Sequence, residues 1–247
     1  MAESTPGHTL DELGLVSMTW RDVLFAHWPV APDVVAETLP EGLSVDTFDG
    51  RAYLGVVGFV MDRIRPRGSP IGRSFGELNL RTYVRDDADT PGIYFYNLDA
   101  SDRLGVWLAR KLFRLPYYPA EMRVERRGRS VEFTADRVAA DAPPVAFDAT
   151  YEPDGAQFEA EPETLPFFLT ERYRFYTESR PRGGHEPGDG RLYYGDIGHE
   201  PWPLYEATAD IRENGLFAAN GFEQPDGEPL CHYSPKLDVL AGRVHRV

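Results

Sequence analysis

The clearest chemical pattern in the chain is a strand-like alternation at positions 76–84 (GELNLRTYV). Glu77, Asn79 and Arg81 fall on one face of this strand, because successive side chains of a β-strand point to opposite sides. A carboxylate, an amide and a guanidinium on one face are typical of a solvent-facing strand or of the polar mouth of a barrel, and the sequence leaves both open. In a barrel, we predict Glu77 as an acid or base, Arg81 as an anion clamp and Asn79 as a ligand-binding group.

Two adjacent tyrosines form a second candidate. Tyr117 and Tyr118 lie between Pro116 and Pro119, which restrict the backbone on both sides. This placement suits a pocket wall or a plain corner between two elements. A neutral phenol donates a hydrogen bond, so we predict Tyr117 and Tyr118 as catalytic donors. Only one of them is expected to reach a ligand, since neighbouring side chains of an extended segment diverge.

Arg172, as a second anion clamp, and His199 complete the predicted ligand-binding set. The six histidines are scattered, and only Asp196, His199 and the pair 231–232 could converge on a metal ion. Isolated hydrogen-bonding histidines are the alternative, so we predict no metal site. No glycine-rich phosphate loop joins a strand to a helix, and we predict no cofactor.

A Schiff-base mechanism would need an activated lysine, and the chain has two lysines, Lys111 and Lys236. An amine nucleophile requires burial or a cationic neighbour that lowers its pKa. Lys111 has arginines close by but lies on a stretch that reads as partly exposed, and Lys236 precedes the last strand. We expect neither to be catalytic.

The charge balance is unusual: 40 acidic residues face 26 basic ones, for a net charge of −14. An acidic chain with almost no lysine is typical of a halophile, while a high-GC genome is the alternative explanation. This charge argues against nucleic acid and anionic membranes as partners. A single cysteine, no signal peptide and no apolar run of about 20 residues predict a cytoplasmic protein.

The periodicity predicts a fold of the α+β class that is mostly β, with antiparallel strands in a closed or half-closed barrel and a few peripheral helices. We expect a flexible arm over residues 1–16 and a single domain over 17–247. The predicted elements are a hairpin of 43–48 with 52–61 around Asp49-Gly50, a helix over 102–114, a meander over 121–151, helical turns at 164–170, a long loop at 180–190 and a strand at 216–219.

Six blocks in fixed order resemble one family: HWPVAPDVVAETLPEGLSVDTFDGRAYLGVVGF, FGELNLRTYV, LPYYPAEM, FLTERYRFY, HEPWPL and HYSPKLDVLAGRV. It is a family of uncharacterised bacterial and archaeal proteins, distantly related to acetoacetate decarboxylase. The resemblance covers residues 20–247. It implies the decarboxylase-like β-rich barrel as the fold.

The resemblance also implies where the decarboxylase chemistry would lie. The block that holds the decarboxylase's two lysines corresponds to residues 114–118, where both lysine positions are tyrosines. A phenol cannot form an imine with a ketone, so the pocket is expected without that mechanism. Glu77 matches the decarboxylase's glutamate, and the substrate-binding arginine falls near His27, where no arginine stands.

These observations lead to one hypothesis and one alternative. The hypothesis is a small-molecule-binding barrel that binds a small organic ligand, or performs acid–base chemistry on a keto acid, without a Schiff-base lysine. The alternative is a non-catalytic partner-binding or structural protein. Whether the chain is an enzyme and whether it forms a homo-oligomer both stay open.

Overall fold

A computed structural model describes residues 15–102, 114–140, 142–178 and 191–247. Within these residues the chain is dominated by twelve strands. The strands are β1 (Val16–Val30), β2 (Leu43–Val45), β3 (Ala52–Pro66), β4 (Arg73–Asp86), β5 (Pro91–Ala100), β6 (Tyr117–Arg127), β7 (Ser130–Arg137), β8 (Ala146–Phe158), β9 (Arg174–Glu178), β10 (Leu192–His199), β11 (Leu204–Asn214) and β12 (Leu230–Arg246). The helices described are α1 (Pro32–Ala36), α2 (Leu165–Thr170) and α3 (Leu216–Ala219).

The strands close into two rings that share a wall. One ring, here called the cavity ring, runs β12-β1-β3-β4-β5-β9-β10 and returns to β12. The other, called the core ring, leaves β5 through β6, β7, β8 and β11 and also returns to β12. The shared wall is therefore β12-β1-β3-β4-β5. Most pairs are antiparallel, and the exceptions among the described pairs are β5 with β6 and β5 with β9.

The core ring is packed with hydrophobic side chains. Leu78 and Leu80 of β4 project into it and belong to the same cluster as Phe133 and Phe147. The leucines of the alternating strand therefore face the packed core. Burying side chains of this size contributes about 1.5–3 kcal/mol each, so the core ring is a major source of stability.

The predicted fold class is confirmed: the chain is mostly β with ring closure. Among the elements, the hairpin of β6 and β7 and its extension by β8 are confirmed. So is α2, where the side chain of Thr164 accepts a hydrogen bond from the backbone N–H of Phe167. The predicted helix over 102–114 and the loop over 180–190 lie almost entirely outside the described residues.

Two predicted elements are wrong. Asp49 and Gly50 do form a tight turn with positive φ angles of 49° and 72°, but it closes only one bridge, between Phe48 and Arg51. The strand before the turn, β2, pairs with β4 instead of β3. The segment 216–219 is the helix α3, not a strand; its N-cap is Gly215, and the Asn214 side chain just before it accepts a hydrogen bond from the Leu216 N–H.

A buried ion pair joins β5 and β7, which lie on either side of β6. Nε and an Nη atom of Arg137 donate to Asp99 at 2.6 and 2.7 Å, and both side chains are almost completely buried. Asn97 donates to the same carboxylate at 2.7 Å. Burial raises the pKa of Asp99 even though Arg137 opposes the shift.

Among the described residues, no helix has the length and apolar character needed to cross a membrane.

Candidate functional site

The cavity ring encloses a cavity of about 190 Å³, lined mainly by hydrophobic side chains. A single water needs about 10–15 Å³, so the space suits a small organic molecule. Six of the seven residues predicted for the site line this one cavity: Glu77, Asn79, Arg81, Tyr117, Arg172 and His199. The solvent-face interpretation of β4 is wrong, since Glu77, Asn79 and Arg81 are only 3, 2 and 8% exposed.

The cavity is polar at one end and apolar at the other, and the register of the strands sets this gradient. On β3 and β4, Arg81 lies opposite Gly55, Asn79 opposite Val57, Glu77 opposite Phe59 and Phe75 opposite Met61. Each step along β4 advances about 6.6 Å, because two residues separate side chains on the same face. The lining thus changes from guanidinium through amide and carboxyl to hydrophobic side chains within one strand.

Glu77 and Tyr117 form a buried hydrogen-bonded pair in the middle of the cavity. The Tyr117 hydroxyl donates to Oε2 of Glu77 at 2.7 Å. The strand order creates the contact: Glu77 pairs with Ala100 of β5, and β5 runs parallel to β6, which begins at Tyr117. Two residues 40 positions apart therefore meet because both strands border β5.

Burial controls the proton affinity of this pair. It raises the pKa of Glu77 to about 7, against the effect of hydrogen bonds from Tyr117 and Asn79. Burial and the nearby Glu77 carboxyl raise the pKa of Tyr117 well above its ordinary value. At neutral pH, Glu77 is thus close to half-protonated and can give or take a proton, while Tyr117 keeps its proton and remains a donor.

The raised pKa of Glu77 predicts a pH-dependent effect on stability. A carboxyl whose pKa is higher in the folded state binds its proton more tightly there, so stability falls as the pH rises from about 4.5 through about 7. Glu77→Gln cannot ionise and should be more stable than the unchanged protein at pH 8, by on the order of 3 kcal/mol. Near pH 4.5 the difference should vanish.

Urea unfolding of both proteins across this pH range measures the difference. Glu213→Gln, which changes an exposed carboxyl on β11, is the control and should show no comparable trend. A Glu77→Gln protein whose stability tracks that of the unchanged protein from pH 4.5 to 8 would contradict a near-neutral pKa.

Arg81 is a buried guanidinium without a carboxylate partner among the described residues. One of its Nη atoms donates to the Leu169 carbonyl at 3.2 Å, and its Nε is buried with no hydrogen-bond partner among the residues that the structure describes. Gly55, opposite Arg81 on β3, makes room for the His27 ring: a Cβ there would lie 2.8 Å from that ring, and 3.5 Å, an ordinary contact distance, from the Arg81 side chain. An uncompensated buried cation is costly, so this end of the cavity favours an anion.

Arg172, the other predicted clamp, already has a counter-ion. It donates to Asp46 at 2.8 Å and to the Phe168 carbonyl at 2.7 Å, and its guanidinium lies over the Phe168 ring. Arg85 binds the other oxygen of Asp46. Burial lowers the pKa of Arg172, and Asp46 opposes that shift. The sequence predicts Arg81 and Arg172 as equivalent anion clamps, but in the structure Arg172 is paired with Asp46 and Arg81 has no carboxylate partner among the described residues.

His199 is neutral at the cavity wall. Its Nδ1 lies 2.8 Å from the Glu200 carbonyl, which can only accept, so Nδ1 carries the hydrogen. Burial is the main cause that lowers the pKa of His199. Its ring stacks on Tyr173. Within the described chain, Nε2 is buried without a hydrogen-bond partner and is left as a bare acceptor.

Tyr118 lies elsewhere. Its ring packs under the guanidinium of Arg137 at 4.2 Å, on the side of the Asp99–Arg137 pair, and it does not line the cavity. The divergence expected of consecutive residues in an extended segment explains this result. Of the two tyrosines, only Tyr117 reaches Glu77, so the structure gives no support to Tyr118 as a site residue.

The residues weighed as metal ligands do not converge. Asp196 pairs with Arg174 at 2.7 Å, and Cys231 is buried in the hydrophobic core. No group of three or more His, Cys, Asp or Glu side chains with metal-binding geometry occurs in the part of the chain that the structure describes.

Sequence reasoning missed several residues at the site. Trp20 and Trp202, which stack at 5.6 Å, both line the cavity, and Arg65 and Arg73 line its far end. No local pattern distinguishes them from ordinary strand residues. His27, matched to the decarboxylase's arginine, is fully buried and bonds the Tyr83 hydroxyl at 2.7 Å.

The solved structures that this fold resembles define its class. An acetoacetate decarboxylase-like enzyme from Sphingomonas wittichii RW1 aligns with a TM-score of 0.65 at 14% identity, over 100% of this chain and 99% of its own. Acetoacetate decarboxylase from Legionella pneumophila gives 0.67 at 12% identity, over 100% and 98%. The enduracididine biosynthesis enzyme MppR, solved with pyruvate, gives 0.67 at 13% identity, over 100% and 97%. The fold is therefore acetoacetate decarboxylase-like.

The sequence itself places the chain more narrowly. The family model DUF2071, described as an uncharacterized conserved protein, matches residues 17–238, and the chain belongs to that family. A relative, the uncharacterized protein YqjF of Bacillus subtilis (strain 168), is 42% identical over 233 residues, which cover 93% of this chain and 91% of YqjF.

Proposed function

We propose that this protein binds a small organic acid in the cavity and performs acid–base chemistry on it. Arg81 binds the carboxylate, Glu77 gives or takes the proton, and Tyr117 turns its single hydroxyl hydrogen from Glu77 to the reacting oxygen. The observation that carries the proposal is that one cavity holds both a buried arginine, with no counter-ion among the described residues, and a buried carboxyl with a pKa of about 7.

The chemistry proceeds without a Schiff base. Of the two lysines, Lys236 lies half-exposed on β12 with Nζ 3.7 Å from Asp238 and does not line the cavity, and Lys111 lies outside the described residues. Tyr117 stands where the resemblance would place a lysine. It stabilises negative charge on a carbonyl oxygen while Glu77 removes a proton from the neighbouring carbon. A keto acid is the substrate class that offers both groups, and a fold relative, MppR, was solved with pyruvate.

Deuterium exchange tests this proposal directly. In D₂O, the protein should exchange the protons beside the ketone of 2-oxo acids, followed by NMR for a series from 2-oxobutanoate to 2-oxo-4-phenylbutanoate. Glu77→Gln should lower the exchange rate about 100-fold or more, since a positioned acid–base group contributes about 10²–10⁴ in rate. Glu213→Gln is the matched control and should exchange at the unchanged rate.

A lysine adduct would overturn the mechanism. Borohydride reduction in the presence of the same 2-oxo acids should leave no mass increase on Lys111 or Lys236. An adduct found by mass spectrometry would restore a Schiff-base reaction. Equal exchange by the Glu77→Gln variant and the unchanged protein would remove Glu77 from the mechanism.

The non-catalytic alternative would require the same residues to lie in different surroundings. A partner-binding or structural protein would place Glu77, Asn79 and Arg81 on surfaces open to a partner, and all three are buried around a cavity. We therefore favour the ligand-binding proposal. A cytoplasmic location remains a proposal from the sequence, and the oligomeric state stays open.

We also propose that the net charge of −14 is an adaptation to high salt. Molar salt screens repulsion among surface carboxylates, because the Debye length shrinks to about 3 Å at 1 M. The melting temperature should rise markedly between low salt and molar KCl. Equal melting temperatures in both conditions would refute the adaptation.

A further inference from the structure

Two hydrogen-bond acceptors in the cavity have no donor. Oδ1 of Asn79 and Nε2 of His199 are both buried without a partner in the described residues. The Asn79 amide donates to Glu77, which leaves its oxygen as the unused atom. Buried acceptors without a donor cost about 1–3 kcal/mol each, so a ligand that supplies a donor here is favoured.

The position of Asn79 relates this missing donor to the anion site. Asn79 lies one same-face step from Arg81 along β4, about 6.6 Å. A ligand whose carboxylate binds Arg81 therefore presents the atoms close to that carboxylate to Asn79. The missing donor belongs on the carbon next to the carboxylate or on the one after it.

The residues that line the other end of the cavity indicate the polarity of the rest of the ligand. Past Glu77, the lining consists of aromatic and aliphatic side chains, Trp20, Phe59, Met61, Phe75 and Ile64 among them. The next charged groups in this direction are Arg65 and Arg73, and Arg73 is paired with Asp102. A ligand held at Arg81 therefore extends its opposite end into hydrophobic surroundings.

We propose that the ligand is a hydroxylated carboxylic acid with an apolar substituent. Its carboxylate binds Arg81, its hydroxyl donates to Asn79, and its apolar group fills the end of the cavity around Met61 and Phe75. This inference rests on the proposed function, because it refines what binds at the same site. It also explains how the site would hold the enol tautomer of a keto acid, whose hydroxyl donates where a ketone oxygen would be repelled.

The charges around the cavity favour a hydroxyl over an ammonium group, the other common hydrogen-bond donor. An ammonium group would lie beside the Arg81 guanidinium, which has no carboxylate partner among the described residues, and like charges repel strongly in a cavity lined mainly by hydrophobic side chains. A second carboxylate would meet the Asn79 oxygen, the bare His199 nitrogen and Glu77, none of which favours it. A neutral hydroxyl satisfies the acceptors without adding charge.

Isothermal titration of the unchanged protein with three matched acids tests the inference. The probes are 2-hydroxy-3-phenylpropanoate, 3-phenylpropanoate, which lacks the hydroxyl, and lactate, which lacks the phenyl group. The first should bind about tenfold more tightly than 3-phenylpropanoate, as expected for a buried hydrogen bond. It should also bind at least about tenfold more tightly than lactate, from the buried apolar area.

Asn79→Leu removes the acceptor while keeping the branching and the number of side-chain heavy atoms, and it should erase the hydroxyl preference while the phenyl preference remains. The outcomes separate the inference from the proposed function. If the three acids bind with equal affinity, the hydroxylated apolar ligand is wrong and the carboxylate site stands. If none of them binds, the carboxylate site fails as well, and the inference with it.

Discussion

Replacing Arg137 with methionine is expected to lower the free energy of unfolding by about 3–5 kcal/mol. Methionine keeps most of the side-chain volume but leaves Asp99 as a buried charge with no cation to neutralise it, and both partners are at most 2% exposed. Loss of one partner from such a pair costs more than the pair itself contributes. Urea unfolding followed by circular dichroism at pH 7 measures the change.

The origin of this loss can be checked in two ways. Adding Asp99→Asn to the Arg137→Met protein removes the buried charge and should restore part of the stability. The deficit of the single variant should also shrink towards pH 4, because the protonated Asp99 carboxyl carries no charge to bury. Arg212→Met, which breaks an exposed pair with Asp148, should leave stability unchanged. A loss that is the same at pH 4 and pH 7 would point to packing instead of charge.

Replacing Arg81 with methionine should abolish carboxylate binding without destabilising the protein. Truncating one partner of a buried charge pair typically costs about 2–5 kcal/mol in affinity, which is roughly 30- to 5,000-fold in Kd. In the empty cavity, however, the guanidinium has no counter-ion among the described residues, so its removal relieves a buried charge. The melting temperature should stay the same or rise. Titration calorimetry and thermal unfolding measure the two effects.

Arg73→Met is the matched control, since Arg73 lies on the same face of the same strand at the other end of the cavity. Arg73 is half-exposed and paired with Asp102, so its loss should change carboxylate affinity far less. Arg81→Lys keeps the charge but loses the planar fork and should bind with intermediate affinity. An Arg81→Met protein that binds carboxylates as tightly as the unchanged one would place the anion elsewhere.

The strand alternation made the central part of the site predictable. A period of two assigns Glu77, Asn79 and Arg81 to one face and Leu78 and Leu80 to the other, whatever the fold around them. What the period leaves open is which face meets solvent. That depended on ring closure, and therefore on long-range pairings between strands.

The remainder of the site depends on contacts that leave no local pattern. Asp46 and Arg172, 126 positions apart, meet only because β2 pairs with β4 beside α2. The sequence predicts Tyr117 and Glu77 in one site, but not the parallel pairing of β5 with β6 that brings them together, because it indicates antiparallel neighbours. The helix α3 was missed because Leu216 and Phe217 fit a short buried strand as well as a helical turn.

Because β4 lies in the wall shared by the two rings, its two faces have different surroundings, and this difference affects how the family can evolve. Even-numbered positions such as 78 and 80 face the packed core and should tolerate little change, whereas odd-numbered positions from 75 to 81 line the cavity and should tolerate more. Mutational drift on the odd positions could therefore retune ligand preference at small cost to stability. In a saturation-mutagenesis library, tolerance to substitution along this strand should alternate with a period of two. Substitutions at the odd-numbered positions should change activity while leaving the abundance of the protein nearly unchanged.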